Sequence, residues 1–364
     1  MRLAPRLPVT VLMLLLLVSP CIASADETPR ATPVPLPDLP TQPQSGPGGN
    51  VPRYDGLLAQ HFGPDPASAT APTGYWLFEP TRPRPGVPPL ADTRLPLVLF
   101  MHAFRGGDPE IYHPWINHLV RRGAIVLFPD YQSPDMTAET TIAEVGQEAP
   151  SLIRRALRDA LAELASGDHA QPDLTRVAVV GHSLGAVLAA DYTGTAGRES
   201  LPVPAALLLA TPACRACGLS AVTGIPPTTR VLVVVGDEAD ETVATRLWAQ
   251  MSAVPRTHRD YVRLRSDAHG DPPLEADHAQ PGAGMGASVD ALDWYGTWKL
   301  LDALMACAFV GEWCPFALGD TPEQRFMGLW SDGVPVREAI VTDAPGLPTA
   351  ATEPASVPAT IPAR

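Results

Sequence analysis

Seven short runs of nearly unbroken apolar residues recur between Gly74 and Leu264: GYWLFE (74–79), LVLFM (97–101), AIVLF (124–128), RVAVV (176–180), ALLLA (206–210), RVLVVV (230–235) and Tyr261–Leu264. A strand with one wet face alternates apolar and polar residues. A run that is apolar throughout needs cover on both faces, which is the condition of the inner strands of a mostly parallel sheet. Helical patterns fill the gaps at Pro114–Arg122, Ile142–Ala165, Leu184–Tyr192 and Thr242–Met251. A last one, Asp290–Phe309, carries Asp290, Asp293, Lys299 and Asp302 and reads as an amphipathic terminal helix with those residues on its wet side. Strands alternating with helices predict an α/β architecture with right-handed crossovers.

The 364 residues and 45% hydrophobic content suffice for one large core. A formal charge of −13 argues against nucleic-acid binding, which needs Lys and Arg to neutralise phosphates. Proline is abundant, 43 residues in all. Much of it falls in residues 26–52 and 343–364, which read as a disordered spacer and a disordered tail around a single domain at 53–342. Ahead of them, Arg2 and Arg6, the apolar run Val9–Val18 and Ala23-Ser24-Ala25 have the order of a secretory signal peptide over residues 1–25. The apolar run is too short to span a membrane, so a secreted chain is expected. Cleavage after Ala25 removes Cys21 and leaves Cys214, Cys217, Cys307 and Cys314, with two disulfides expected between near neighbours, 214 with 217 and 307 with 314. The C-x-x-C pair has no companion at zinc spacing, and no metal is expected.

The chemistry centres on Gly181-His182-Ser183-Leu184-Gly185, directly after RVAVV and directly before the helix AVLAADY. A serine on a tight strand-to-helix turn stands above the sheet, and small residues on either side let the backbones pass. The helix N-terminus beneath it favours developing negative charge.

At these residues the chain resembles the α/β-hydrolase superfamily, over roughly residues 54–310, and among its members the secreted serine esterases of the cutinase-like, polyester-hydrolase and dienelactone-hydrolase-related group. The resemblance implies an acid and then a histidine after later strands. In that group the acid lies four residues past the glycine ending its strand, which carries over to Asp240, with Asp237 the alternative in Gly236-Asp237-Glu238-Ala239-Asp240. The base is expected on the loop after the next strand, which points to His269 in Ser266-Asp267-Ala268-His269-Gly270, with His278 on the same loop as the alternative. The oxyanion donors implied are the amide of Leu184 and one from the loop His102 to Gly107, Phe104 before Ala103. Relatives often carry glycine where this chain has Ala103. His102 itself reads as a structural histidine of that loop.

The resemblance implies a secreted Ser-His-Asp carboxylic-ester hydrolase working without a cofactor, as a monomer, on a small or polymeric ester. A peptidase or acyltransferase on the same fold is the alternative within enzymes. A non-catalytic cell-wall binding module is the alternative outside them.

Overall fold

Each apolar run of the sequence splits its side chains between two cores. Leu97, Leu99, Val177, Val179, Leu207, Leu209, Val231 and Val233 face one side, and Val98, Phe100, Ala178, Val180, Leu208 and Leu232 the other. The period-two alternation thus places apolar residues on both faces of one sheet, as the continuous runs predict. The computed structural model describes residues 35–63, 74–132, 136–283 and 288–346. The expected signal peptide (1–25) lies outside them, as does the tail from residue 347 on.

Nine strands form the sheet: β1 (Tyr54–Phe62), β2 (Tyr75–Pro83), β3 (Arg94–Met101), β4 (Ile125–Pro129), β5 (Gln171–His182), β6 (Ala206–Ala210), β7 (Arg230–Gly236), β8 (Arg259–Leu264) and β9 (Ile340–Thr342), in spatial order β1-β2-β4-β3-β5-β6-β7-β8-β9. Strands β3 to β8 run parallel, while β1, β2 and β9 pair antiparallel to their neighbours. The first core is covered by α2 (Ile142–Ser166), α3 (Leu184–Thr195) and α4 (Thr242–Gln250). The second is covered by α1 (His113–Arg121) and α5 (Trp298–Val310). Helix α2 starts at a capping box, in which Thr141 and Glu144 satisfy each other's backbone amides. Helix α3 is apolar almost all round because sheet, α2 and loop enclose it.

Two expectations change. The terminal helix is not one amphipathic rod. A π-turn over Leu292–Thr297 breaks it at Gly296, and α5 begins only at Trp298. Its polar residues turn inward to specific partners. Lys299 is buried and donates to the carbonyls of Glu323, Gln324 and Phe326 at 3.1, 2.9 and 2.6 Å. It thereby closes the end of α7 (Pro322–Arg325), beyond α6 (Cys314–Ala317). Asp302 accepts from the Gly48 amide at 2.8 Å and pairs with His118 and Arg122 at 2.9 and 3.1 Å. Burial alone raises the Asp302 carboxyl, but Arg122 and His118 overcome it and hold the pKa at about 2.

The proline-rich stretch is the second change. From Leu36 on the chain belongs to one compact unit, so the domain begins well before residue 53. Residues 36–52 lie as an irregular strap: Asp38 exchanges bonds with Ser331, the Pro37 carbonyl accepts from Asp271, and the Thr41 carbonyl accepts from Tyr295. Gly48 is forced to be glycine twice over, by a left-handed backbone with φ +75° and by the Trp294 carbonyl 1.9 Å from where a Cβ would sit. The disulfides fall where near-neighbour pairing puts them, Cys214–Cys217 and Cys307–Cys314.

Candidate active site

Strand β5 ends at His182 and α3 begins at Leu184, so Ser183 alone makes the turn, with φ 58° and ψ −118°. Such a backbone costs about 1–3 kcal/mol and persists only where its surroundings enforce it. Here they do. The Ser183 amide donates to the Ala210 carbonyl at 3.0 Å, and its carbonyl accepts from Ala186 and Ala213, each at 3.1 Å. The flanking glycines are required by contact: a Cβ on Gly181 would lie 2.2 Å from the Gly185 carbonyl, and one on Gly185 2.1 Å from the Met101 carbonyl.

The histidine that reaches this serine is His278. The Ser183 hydroxyl donates to its Nε2 at 3.0 Å. Burial pulls the His278 pKa below the ordinary imidazole value, while the charges of Asp277 and then Asp240 push it back up. The ring is therefore neutral near pH 7, able to accept the serine proton. His269, expected in this place, turns instead to Asp332, 2.8 Å away, with its side chain 37% exposed. The reason is the tight closure of the loop on which it sits. Asp267 and Leu274 form an isolated bridge, and Asp267 accepts from the His269 amide, the Trp330 indole and the Arg337 amide. That closure commits His269 to the C-terminal extension, and the chain reaches Ser183 only four residues beyond the bridge.

The acids divide their work. Asp237 Oδ1 accepts from the Ser266 amide and hydroxyl at 2.9 and 3.0 Å, and Ser266 Oγ accepts from the Ala276 amide at 2.9 Å. Asp237 thus braces the loop that carries His278. Asp277 accepts from the amides of Ala279 and Gln280 and shapes the turn just after the histidine. Asp240 lies further out, 55% exposed, its carboxylate bound by Thr242 at 2.9 and 2.6 Å and by Arg215 at 2.5 Å. Thr242 and Arg215 hold its carboxyl far below the usual range. Among the described residues the His278 ring hydrogen-bonds Ser183 only, and the Asp240 carboxylate makes no hydrogen bond to it.

On the other side, the His102–Gly107 loop is fixed by Gln132, which donates to the Ala103 carbonyl at 2.9 Å and accepts from the Arg105 amide at 2.6 Å. The Ala103 amide is committed to the Tyr112 hydroxyl at 3.0 Å. His102 is fully buried, stacked on Tyr131 at 3.9 Å, and burial lowers its pKa to about 4. Its Nδ1 donates to the Ala103 carbonyl at 2.9 Å, a structural role as expected. His182, inside the serine motif, is likewise buried; its Nδ1 meets Tyr112 at 2.9 Å and its Nε2 meets the His278 carbonyl at 2.8 Å. Sequence reading does not single out Tyr112 or Gln132, because neither stands in a motif and only the fold brings them here. Among the described residues no group of three or more His, Cys, Asp or Glu is placed to hold a metal ion. No helix among them is long and apolar enough to cross a membrane.

Residues 98–274 match a protein family described as an alpha/beta hydrolase fold. The match spans Ser183 and Asp240 and ends before His278. No curated protein matches the chain. Solved structures similar to it include work on two fungal esterases from Rhizomucor miehei, at 16% identity over 71% of this chain and 85% of that chain, with a TM-score of 0.44.

Proposed function

We propose that this chain, which has the α/β-hydrolase fold, is a secreted serine hydrolase that cleaves carboxylic esters through an acyl-enzyme. The observation that carries this reading is the 3.0 Å contact between Ser183 Oγ and His278 Nε2, made by a serine on a strained turn at a helix start. His278 takes the serine proton as Oγ attacks the ester carbonyl, then returns it to the leaving alcohol. Asp240, with Asp277, stabilises the imidazolium through space. The oxyanion sits against the amides of Leu184 and Phe104, because the Ala103 amide already has a partner. Each such donor is worth about 2.7–4 kcal/mol of barrier. Water then attacks the acyl-enzyme carbonyl as His278 takes its proton, and His278 returns that proton to Ser183 Oγ as the acyl–oxygen bond breaks and the acid leaves.

Among the described residues, the connection from α3 to β7 contains β6 and short 3-10 turns and no helical lid. Secretion rests on the leader read from residues 1–25 and on the two disulfides, which suit an oxidising compartment.

The test is hydrolysis of p-nitrophenyl esters of increasing acyl length by the wild type and by Ser183→Ala. The expected result is turnover that falls by about 10⁶-fold in the variant. Equal rates in the two proteins, both folded, would overturn the reading.

A further inference from the structure

The nominally free position of the serine motif is occupied by His182, and its two ring nitrogens face two different loops. Nε2 lies 2.8 Å from the carbonyl of His278. A carbonyl only accepts, so Nε2 carries the proton. A neutral imidazole protonated there has a bare Nδ1, which only accepts, so the Tyr112 hydroxyl 2.9 Å away donates to it. The tyrosine oxygen, its proton so directed, is left to accept from the Ala103 amide at 3.0 Å. All three bonds therefore point one way: Ala103 N–H to Tyr112, Tyr112 O–H to His182, His182 N–H to His278. Burial keeps the sense fixed, since it pulls the His182 pKa down to about 3 and raises the tyrosine hydroxyl well above its ordinary value.

The geometry points to Tyr112 and His182 as positioning residues for ester hydrolysis: together they form a buried link that ties the oxyanion loop at Ala103 to the backbone of the base at His278. The inference rests on the reading of Ser183 and His278 as nucleophile and base, and names what holds them in register. The link runs through the residue that immediately precedes the serine. It ends on the amide preceding Phe104 at one side and on the carbonyl of the base itself at the other. Thr211 donates to the same His278 carbonyl at a longer 3.5 Å and is the only other side chain among the described residues to do so.

Breaking the link leaves buried groups unpaired, but its specific consequence is kinetic. Loops freed by a fraction of an ångström still bind substrate, while the oxyanion donors and base lose alignment in the transition state. The experiment measures kcat and KM for p-nitrophenyl butyrate in the wild type, Ser183→Ala, Tyr112→Phe, His182→Leu and His182→Gln, with circular dichroism to confirm folding. Tyr112→Phe removes one oxygen and is expected to lower kcat about 10–100-fold, with KM within about threefold of the wild type. His182→Gln, whose amide can reach the same carbonyl, is expected to recover part of the rate lost in His182→Leu. The double variant Tyr112→Phe/His182→Leu is expected to be no slower than His182→Leu by more than about threefold, because both break one link.

A folded Tyr112→Phe with full kcat, or with a loss in KM alone, would overturn the link while Ser183→Ala remains dead. So would fully additive losses in the double variant. Should His182→Leu fail to fold, Tyr112→Phe and His182→Gln decide the matter. Equal rates in the wild type and Ser183→Ala would overturn the hydrolase reading, and the link's catalytic role with it.

Discussion

The carboxylate of Asp240 lies 2.5 Å from the guanidinium of Arg215, which stands on the short loop closed by the Cys214–Cys217 disulfide. The carboxylate is also one of the two charges that raise the His278 pKa. Arg215 therefore offsets part of the field that favours the imidazolium. Replacing Arg215 by Gln should move the acidic limb of the kcat/KM profile to higher pH, and replacing Asp240 by Asn should move it to lower pH. Both groups are exposed, so the shifts should be about half a unit and shrink in high salt. Profiles at 20 and 500 mM NaCl check this. Shifts of the same sign in both variants would contradict it.

Two histidines on one loop have opposite fates. His278→Ala should lose about 10⁶-fold in kcat, as Ser183→Ala does, because it removes the acceptor 3.0 Å from Ser183 and the two act as a unit. His269→Ala should retain wild-type kinetics and change thermal stability little, since its bond to Asp332 is made between exposed side chains. The same p-nitrophenyl assay and a thermal melt on each variant decide between them; an inactive, folded His269→Ala would show that His269 is needed after all.

Asp302 ties the strap to the body, and its sign with pH follows from its depressed pKa. A carboxyl held at about 2 in the fold and near 3.8 unfolded contributes stability above pH 4 that disappears as pH falls through 2. The difference corresponds to about 2 kcal/mol. Asp302→Asn should lose that amount at pH 7 and match the wild type near pH 2, as read from urea unfolding. Limited proteolysis should then cut the variant within residues 36–52 while the wild type resists. An equal stability gap at both pH values would point to lost packing rather than lost charge.

Lys299, the one lysine of the chain, is buried with three carbonyls on its ammonium. Lys299→Met keeps the apolar stem but leaves those carbonyls without a donor. About 3 kcal/mol of stability should be lost, seen as a lower urea midpoint with an unchanged slope. The segment after α5 should become sensitive to protease first, because the three carbonyls belong to it.

Much of this architecture was legible from residue order, and the exceptions have physical causes. The inner strands β3 to β8 were readable because their central positions are nearly all buried, and burial on both faces leaves an apolar run. Strands β1 and β9 were not, because edge strands face solvent: Tyr54–Phe62 contains Gly56, Gln60 and His61, and Ile340–Thr342 is three residues long. Ser183 was legible because its turn demands glycines on both sides. The partner histidine was less so. His269 and His278 share a loop and small neighbours, and what separates them is the Asp267–Leu274 bridge, a tertiary closure with no local signature. Proline content suggested a disordered spacer to residue 52, yet proline specifies only an extended backbone; Gly48 and its acceptor Asp302, far apart in the chain, make it a strap.

The link through His182 has a consequence for inheritance. The second position of the serine motif is free to vary wherever the motif is considered alone, but here it is spoken for by a tyrosine seventy residues earlier. A descendant that exchanged His182 for an apolar residue would strand the Tyr112 hydroxyl, and one that lost the hydroxyl would strand the imidazole. Neither change is easily fixed first, so the two positions should be inherited as a pair.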